Sequence, residues 1–251
     1  MTERTIKARF QKVNVHDYED EAPLKLQKTD KSHRVFSNYQ ISGLEDHEQS
    51  NRADLLVKKG TNIVVGPEDV LQLQPEQSHQ LDMFVEVEEE ALLIWNKQEI
   101  IPAKGSQYQQ TSKIQLHQDA ELIWGEIYHF DHDTFTSLSS SMEIWVDEEC
   151  LVFDPFQFFP KSEVNHHYGM TETFPYVASM WYITPHPPFD EWDVQQRLSQ
   201  AKHHRAGMTD LDGQGILIRW LSTDLSLLRK EMDDVFQFFD QQITDIRKWR
   251  I

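Results

Sequence analysis

A repeat with a period near 30 residues runs through the middle of the chain and limits the folds that the chain can adopt. One position recurs as a small or medium residue at steps of 30, 29 and 30 residues. An apolar pair follows each of these positions after one intervening residue. Periods of this length indicate stacked units, each too small to bury its own apolar face, that form one core by packing on their neighbours. The repeated positions are Thr61, Ala91, Ala120 and Cys150.

Each repeat has the pattern of a strand, a polar turn and a second strand. In FVEVEEEALLIW and SKIQLHQDAELIW the first part alternates apolar and polar residues, which is typical of a half-buried strand. The second part is a short continuous apolar run, which suits a strand buried on both faces. A loose series of hairpins in a β-rich chain is the alternative interpretation. Both interpretations predict that residues 1–185 form a mainly β body.

The end of the chain has a different pattern, and we predict a helical element over residues 186–251 of a single domain, 1–251. Two helices are expected, over 190–204 and 222–246, separated by a loop at HRAGMTDLDGQG. Ser222, Thr223 or Asp224 is the expected cap of the second helix. Its apolar residues recur at steps of three and four, and this stripe is a candidate surface for docking on a partner. The candidate partner-binding residues are Leu225, Leu228, Met232, Val235, Phe236 and Phe239.

The charge of the chain excludes some classes of partner. Its 42 acidic and 24 basic residues give a formal net charge of −18, which repels phosphate backbones and anionic lipid surfaces. We therefore expect neither nucleic acid nor membrane as a partner. The single cysteine excludes an intramolecular disulfide, and the charged amino-terminal stretch is unlike a secretory signal. These features predict a cytoplasmic protein.

Familiar catalytic motifs are missing from the sequence, which has no glycine-rich phosphate loop, no G-x-S-x-G elbow and no H-E-x-x-H helix. Cys150 lies at a repeat position, so we predict a small core residue there rather than a nucleophile. The chain is therefore predicted not to be an enzyme. The HFDHD stretch at 129–133 would project His129, Asp131 and Asp133 from one face of a strand. Imidazole and carboxylate together suit nickel or another borderline divalent ion, although solvated loop residues would give the same pattern.

Glu126 is a further candidate, because it follows Trp124 and Gly125 at the end of a strand that reads as buried. A glycine there would let the strand bend or another part of the chain approach closely. The alternative is that Glu126 is an ordinary surface carboxylate at a strand end.

The stretch from Phe84 to Glu126 resembles the urease accessory protein D family, called H in some organisms. The similar features are a small residue after an alternating strand, a paired isoleucine with proline, a Gly-Ser step, an aromatic residue, a Gln and Thr, and a second run ending in Trp. They occur here as Ala91, Ile100, Ile101, Pro102, Gly105, Ser106, Tyr108, Gln110, Thr111, Ala120 and Trp124. The family's glycine-rich step is reduced to SGLED, with Gly43 and Asp46 in its place. The chain is thus similar to a divergent member.

The resemblance implies a fold, a function and partners. The implied fold is mainly β, a stacked-strand β-helical body resembling a solenoid, with a small C-terminal helical element. The implied function is a urease maturation factor: a chaperone-like scaffold that links apo-urease to accessory protein F and the GTPase accessory protein G, and that helps deliver nickel. No tightly bound cofactor is implied, only Ni²⁺ in transit. The candidate residues for that path are Asp46, Glu126, His129 and Asp131.

Two other functions stay open at this stage. One is a structural interaction module without a metal role, in which the acidic groups are solvated. The other is a metal-dependent hydrolase that uses the HFDHD cluster.

Overall fold

The structure is a computed structural model, and it describes residues 3–12, 14–22, 24–29, 37–44, 50–67, 70–130, 135–160, 174–185, 191–198 and 204–248. Predictions that fall on other residues, including Asp46 and Asp131, lie outside this description. The described chain forms two β-sheets, sheet A and sheet B, which face each other, and two helices.

Sheet A contains seven strands in the described residues, in the spatial order β13-β12-β10-β8-β5-β1-β2. Their bounds are β1 Glu3–Gln11, β2 Asn14–Asp20, β5 Ser50–Val57, β8 Ser78–Val87, β10 Gln107–Leu116, β12 Ser137–Val146 and β13 Glu149–Phe158.

Sheet B contains nine strands in the same part of the chain, in the order β15-β16-β14-β11-β9-β6-β4-β3, with β7 paired to β9. Their bounds are β3 Lys25–Thr29, β4 Ser37–Ser42, β6 Asn62–Pro67, β7 Leu71–Gln72, β9 Leu92–Ile101, β11 Glu121–His129, β14 Tyr176–Ile183, β15 His204–Asp210 and β16 Gly215–Ser222.

The repeat is a coil that passes back and forth between the two sheets. β5, β8 and β10 pair in parallel in sheet A, while β6, β9 and β11 pair in parallel in sheet B. Thr61, Ala91 and Ala120 are buried where the chain crosses from one sheet to the other. Successive corners are bonded together: Leu92 N donates to Thr61 O, and Glu121 N donates to Ala91 O, both at 2.9 Å. The predicted solenoid-like stacking is therefore confirmed.

The fourth repeat position differs from the prediction. β12 and β13 form an antiparallel hairpin within sheet A, so the chain does not cross to sheet B after Val146. Asp147, with φ 50°, begins the tight turn. Cys150 lies opposite Trp145 on this hairpin and is exposed. The prediction of Cys150 as a core residue is wrong, because a corner residue is buried only where the chain enters the next coil.

The apolar runs of sheet B are buried on both faces, as predicted. Leu93 and Trp95 point between the sheets, and the Trp95 ring stacks on Trp124 with centroids 4.7 Å apart. Leu92 and Ile94 point to the opposite face of sheet B. That face is covered by the C-terminal helix, which explains why these runs do not alternate.

Residues 186–251 contain more strand than predicted. The helix expected over 190–204 is the short α1, Glu191–Gln195, within the described residues. The expected loop at 204–215 is mostly β15, which pairs antiparallel with β16. His204, Ala206 and Met208 face the helical layer, so tertiary packing outweighs the loop-forming composition. Gly215 is required by the hairpin, because at φ +155° a Cβ there would lie 2.2 Å from Tyr182 O.

The final helix, α2, spans Leu225–Lys248 and confirms the predicted long helix. Asp224 Oδ1 accepts a hydrogen bond of 3.0 Å from Leu227 N, so Asp224 is the cap. No helix in the described part of the chain is long and apolar enough to cross a membrane.

The apolar stripe of α2 packs on the chain's own sheet B. Four of its side chains are fully buried, those of Leu228, Met232, Val235 and Phe239. Leu225 and Phe236 are half-buried. This corrects the expectation of a free docking surface at these six residues. In the folded chain the four buried side chains would meet a partner only if α2 left the sheet.

Candidate functional site

A band of polar side chains crosses the interior between the two sheets. On β11, Leu122, Trp124, Glu126 and Tyr128 point inward, so Glu126 follows two large apolar residues of the core. Glu126 is 1% exposed. It lies between the main core and a second aromatic cluster that includes Tyr108, Tyr128 and Phe130. Its carboxylate is therefore an interior group and not a surface residue at a strand end.

Three neutral donors hold the Glu126 carboxylate. Gln110 Nε2 and Trp124 Nε1 donate to Oε1 at 2.7 and 2.9 Å, and Tyr128 Oη donates to Oε2. Behind them, Tyr108 Oη donates to Gln110 Oε1. This arrangement fixes the orientation of a carboxylate and leaves Oε2 with capacity for one more donor, because each oxygen accepts about two hydrogen bonds.

An irregularity in β9 brings a further amide into the band. Trp95 pairs with Trp124, but Glu126 pairs with Gln98, so β9 has one extra residue at this point. The extra residue turns Gln98 inward, where its Nε2 lies 3.5 Å from Tyr108 Oη. A Cβ added at Gly125 would project toward α2 and would lie 3.3 Å from Lys97 Cβ. The close approach expected at Gly125 is therefore present.

Burial controls the ionisation of this band. Burial raises the pKa of Glu126, hydrogen bonds from Tyr128, Trp124 and Gln110 lower it in part, and the charge of Asp154 raises it further. Burial and the nearby Glu126 also place the pKa of Tyr128 well above its usual value. Glu126 is thus a group that can hold a proton or attract a cation in a water-poor setting.

Glu126 lies at a cleft of about 470 Å³ between the two sheets. β12 and β13 form one wall, and β14, β15 and β16 form the other. Arg219 Nη2 donates to Asp154 Oδ2 and joins the two walls at the mouth. The apolar lining comes from Tyr128, Met142, Phe156, Val177, Trp181 and Leu221.

His129 belongs to a separate network on the other face of sheet B. Its Nε2 lies 2.8 Å from Glu99 Oε1, and Glu99 also accepts two hydrogen bonds from Arg229 of α2. Burial opposes ionisation of Glu99, but the hydrogen bonds from His129 and Arg229 outweigh it and lower its pKa to about 2. Residues three apart on a strand point to opposite faces, so Glu126 and His129 do not share one site, contrary to the predicted common path.

The remaining predicted metal residues cannot be placed with these two, because Asp46 and Asp131 lie outside the described residues. Across the ranges that the structure describes, no three His, Cys, Asp or Glu side chains form a group that could hold a metal ion.

Several residues of the interior band were missed by the sequence reasoning. Gln110 and Ser112 had a usable signal, since the alternation of β10 places them on the same face as Tyr108 and Ile114. Gln98 had none, because the irregularity of β9 reverses its expected direction. The Asp154–Arg219 pair joins residues 65 positions apart in different sheets, so local sequence carries no sign of it.

Comparison with known proteins identifies the family. The family model described as UreD urease accessory protein matches residues 65–250. The chain is 25% identical over 231 residues to the urease accessory protein UreD of Sporosarcina pasteurii, covering 88% of this chain and 90% of that protein. It is 26% identical over 243 residues to UreD of Lysinibacillus sphaericus, covering 89% and 88%. The chain therefore belongs to the UreD family of urease accessory proteins, which are not enzymes, and it has a role in urease maturation.

Proposed function

We propose that this chain is a scaffold in urease maturation that links apo-urease to accessory proteins F and G and helps to pass Ni²⁺ to the urease active site. Membership of the UreD family over residues 65–250 is the observation that carries this proposal. The two-sheet body supports it, because it offers extended sheet surfaces together with a band of polar side chains in the interior.

Glu126 is the proposed contact for nickel in transit. Its burial, its fixed orientation and its position at an interior cleft support this role. Three neutral donors occupy part of its capacity, so a passing ion would be held weakly, as transport requires. Asp46 and Asp131 stay candidates for the same path. For His129 we now propose a role in positioning α2 through Glu99.

The helices are the proposed contact for accessory protein F, and the β body the proposed contact for apo-urease. Because the apolar stripe of α2 is covered, its outer face is what a partner would meet first. That face exposes polar residues, Ser226, Lys230, Asp233, Asp234 and Gln237.

Co-purification tests the scaffold role. A tagged chain is expressed with the whole urease operon, and its partners are identified by mass spectrometry. We expect apo-urease and accessory proteins F and G to be recovered together. A soluble, folded chain that recovers none of them would exclude the proposed scaffold.

The nickel role is tested separately with Glu126→Gln. We expect this variant to keep its partners but to activate urease at least about tenfold more slowly at limiting Ni²⁺, since one charge is lost from the path. Glu143→Gln is the matched control, because Glu143 lies on β12 but faces away from the cleft. If Glu126→Gln activates urease at the normal rate, the chain is a scaffold without a metal role at this residue.

A further inference from the structure

At the deep end of the interior cleft, the Glu126 carboxylate has neutral donors in all of its described hydrogen bonds, whereas both arginines that line the cleft, Arg205 and Arg219, lie at the mouth. The described neighbours of Glu126 are three neutral donors and, farther off, the carboxylate of Asp154. A buried carboxylate in such a setting is costly unless a cation joins it. At the mouth, Asp154 is already paired with Arg219. The deep end of the cleft is therefore the part that still attracts positive charge.

The size and lining of the cleft favour an organic cation over a bare ion. A volume of about 470 Å³ is within the range of roughly 300–1,000 Å³ that small-molecule sites occupy. The Tyr128 and Phe156 rings stack with centroids 6.0 Å apart, and Trp181 lies on the opposite wall. Aromatic faces attract cations, and a planar guanidinium can also stack on them. Glu126 Oε2 still has room for one charge-assisted hydrogen bond.

We propose that the cleft is a socket for an arginine side chain of a protein partner, with the guanidinium directed at Glu126 and the aliphatic stem against Tyr128, Phe156 and Trp181. The cleft lies between the sheet-edge strands β13 and β15, so a neighbouring protein can reach it from the side. The chain's net charge of −18 favours a partner with a basic surface. The seated side chain would cover Glu126 from solvent, so an arginine and a passing Ni²⁺ would compete for this one carboxylate.

Arg205, at the rim of the cleft, allows an experiment to test whether the ligand is a cation or an anion. Arg205 is exposed at the mouth, and its Nη1 donates to the carbonyl of His204 at 3.1 Å. Its charge opposes entry of a cation and favours entry of an anion. Changing Arg205 therefore moves the affinities for the two ligand classes in opposite directions.

The test compares N-acetylarginine amide with N-acetylcitrulline amide, its neutral counterpart, on the isolated full-length chain. Binding is followed by NMR of the indole N–H groups, because Trp124 Nε1 is bonded to Glu126 and Trp181 lines the cleft. We expect the arginine amide to bind with a dissociation constant on the order of millimolar, at least about tenfold tighter than the citrulline amide. Glu126→Gln should remove this preference, and Arg205→Gln should tighten arginine binding. Glu143→Gln, on the outer face of sheet A, should change neither.

A second variant, Gly207→Trp, provides an independent test if Glu126→Gln fails to fold. Gly207 lines the cleft, and a Cβ there would meet nothing within 4 Å, so Gly207→Trp places a large side chain at the mouth without a clash at its Cβ. It should abolish binding of the arginine amide while the remaining indole signals keep their positions. Equal binding of the two amides, binding unaffected by Gly207→Trp, or weaker arginine binding in Arg205→Gln would overturn the proposal. Perturbation by hexanoate or by Ni²⁺ alone, without any response to the arginine amide, would also overturn it.

The partner is tested in cells that express the whole operon. A photo-crosslinking amino acid at Gly207 should join the chain to a partner segment that contains an arginine, and changing that arginine to glutamine should reduce the crosslink. Crosslinking that is unaffected by loss of the arginine would contradict the inference. Because the amide measurement needs no urease and no nickel, its failure is distinguishable from failure of the proposed scaffold.

Discussion

At the scale of single residues, the structure separates two acidic groups that are both buried but differ in their partners. Glu126 is held by neutral donors, and its pKa is raised. Glu99 is held by a histidine and an arginine, and its pKa falls to about 2. The first group is suited to receive a cation from outside. The second is already paired with the Arg229 guanidinium and instead ties α2 to sheet B.

Arg229→Gln should weaken this tie. The change leaves Glu99 with His129 but without the guanidinium, and we expect a loss of about 2 kcal/mol in the free energy of unfolding at pH 7, less than for a fully buried pair because Arg229 is partly exposed. Urea denaturation measures the loss. Lys230→Gln is the control, since Lys230 on the same helix pairs with the exposed Asp234, and it should change stability much less.

The difference between wild type and Arg229→Gln should depend on pH in a definite direction. Because folding lowers the pKa of Glu99 from 4.5 to about 2, its contribution is complete above pH 4.5 and is lost as the pH falls toward 2. The two proteins should therefore converge in stability as the pH is lowered from 4.5 toward 3. A difference that stays constant over that range would show that Glu99 is not the group through which Arg229 acts.

At the scale of elements, α2 illustrates how an amphipathic pattern allows two interpretations. The stripe pattern shows that one face of the helix must be covered, but it does not say by what. Here the cover is sheet B, where the Phe239 ring lies 4.6 Å from that of Tyr182 and Met232 lies next to Gly125. The outer face of α2 is polar, so the helix has the burial pattern of an outer layer of the fold.

Phe239→Ala should therefore cost about 3 kcal/mol of unfolding free energy, because it removes a fully buried ring and leaves a cavity. Gln237→Ala, an exposed change on the same helix, should stay within about 0.5 kcal/mol of wild type. Both are measured by denaturant unfolding of the isolated chain. If the apolar stripe were instead exposed in the isolated chain, Phe239→Ala would be as stable as wild type.

At the scale of the whole molecule, the two sheets are covered differently. Sheet B has the other sheet on one face and α2 on the other, which buries Leu92, Ile94 and Ile218. The outer face of sheet A has no such helical layer in the described chain, and it exposes Trp145 and Phe153 together with charged residues. In the described chain, α2 therefore covers the outer face of sheet B and not that of sheet A.

Removing residues 225–251 should make the protein aggregate. The truncation exposes the apolar outer face of sheet B, so we expect strong binding of a hydrophobic dye and elution as large species in size-exclusion chromatography. The full-length Gln237→Ala variant is the control and should elute like wild type. A truncated chain that remains a well-folded monomer would mean that α2 does not complete the core.

The sequence by itself determined the mainly β body, the stacked coils and the long final helix, and it limited the cap to Ser222, Thr223 or Asp224. These follow from local patterns: a period near 30 residues, alternation along strands, and apolar steps of three and four. The same patterns correctly identified Thr61, Ala91 and Ala120 as equivalent positions of successive units. They also predicted Cys150 as a core residue wrongly, because a hairpin and a corner share the same local alternation.

Only the tertiary structure decided the use of these elements. Whether Glu126 faced solvent or the interior depended on the strands that pair with β11. β15 became a strand because β16 lay beside it, and the stripe of α2 became core because sheet B lay beneath it. The cleft is lined by strands of both sheets, and Asp154 and Arg219 pair across its mouth. Such contacts join residues far apart in the chain, and their free energy comes from desolvation and pairing that no local window of sequence contains.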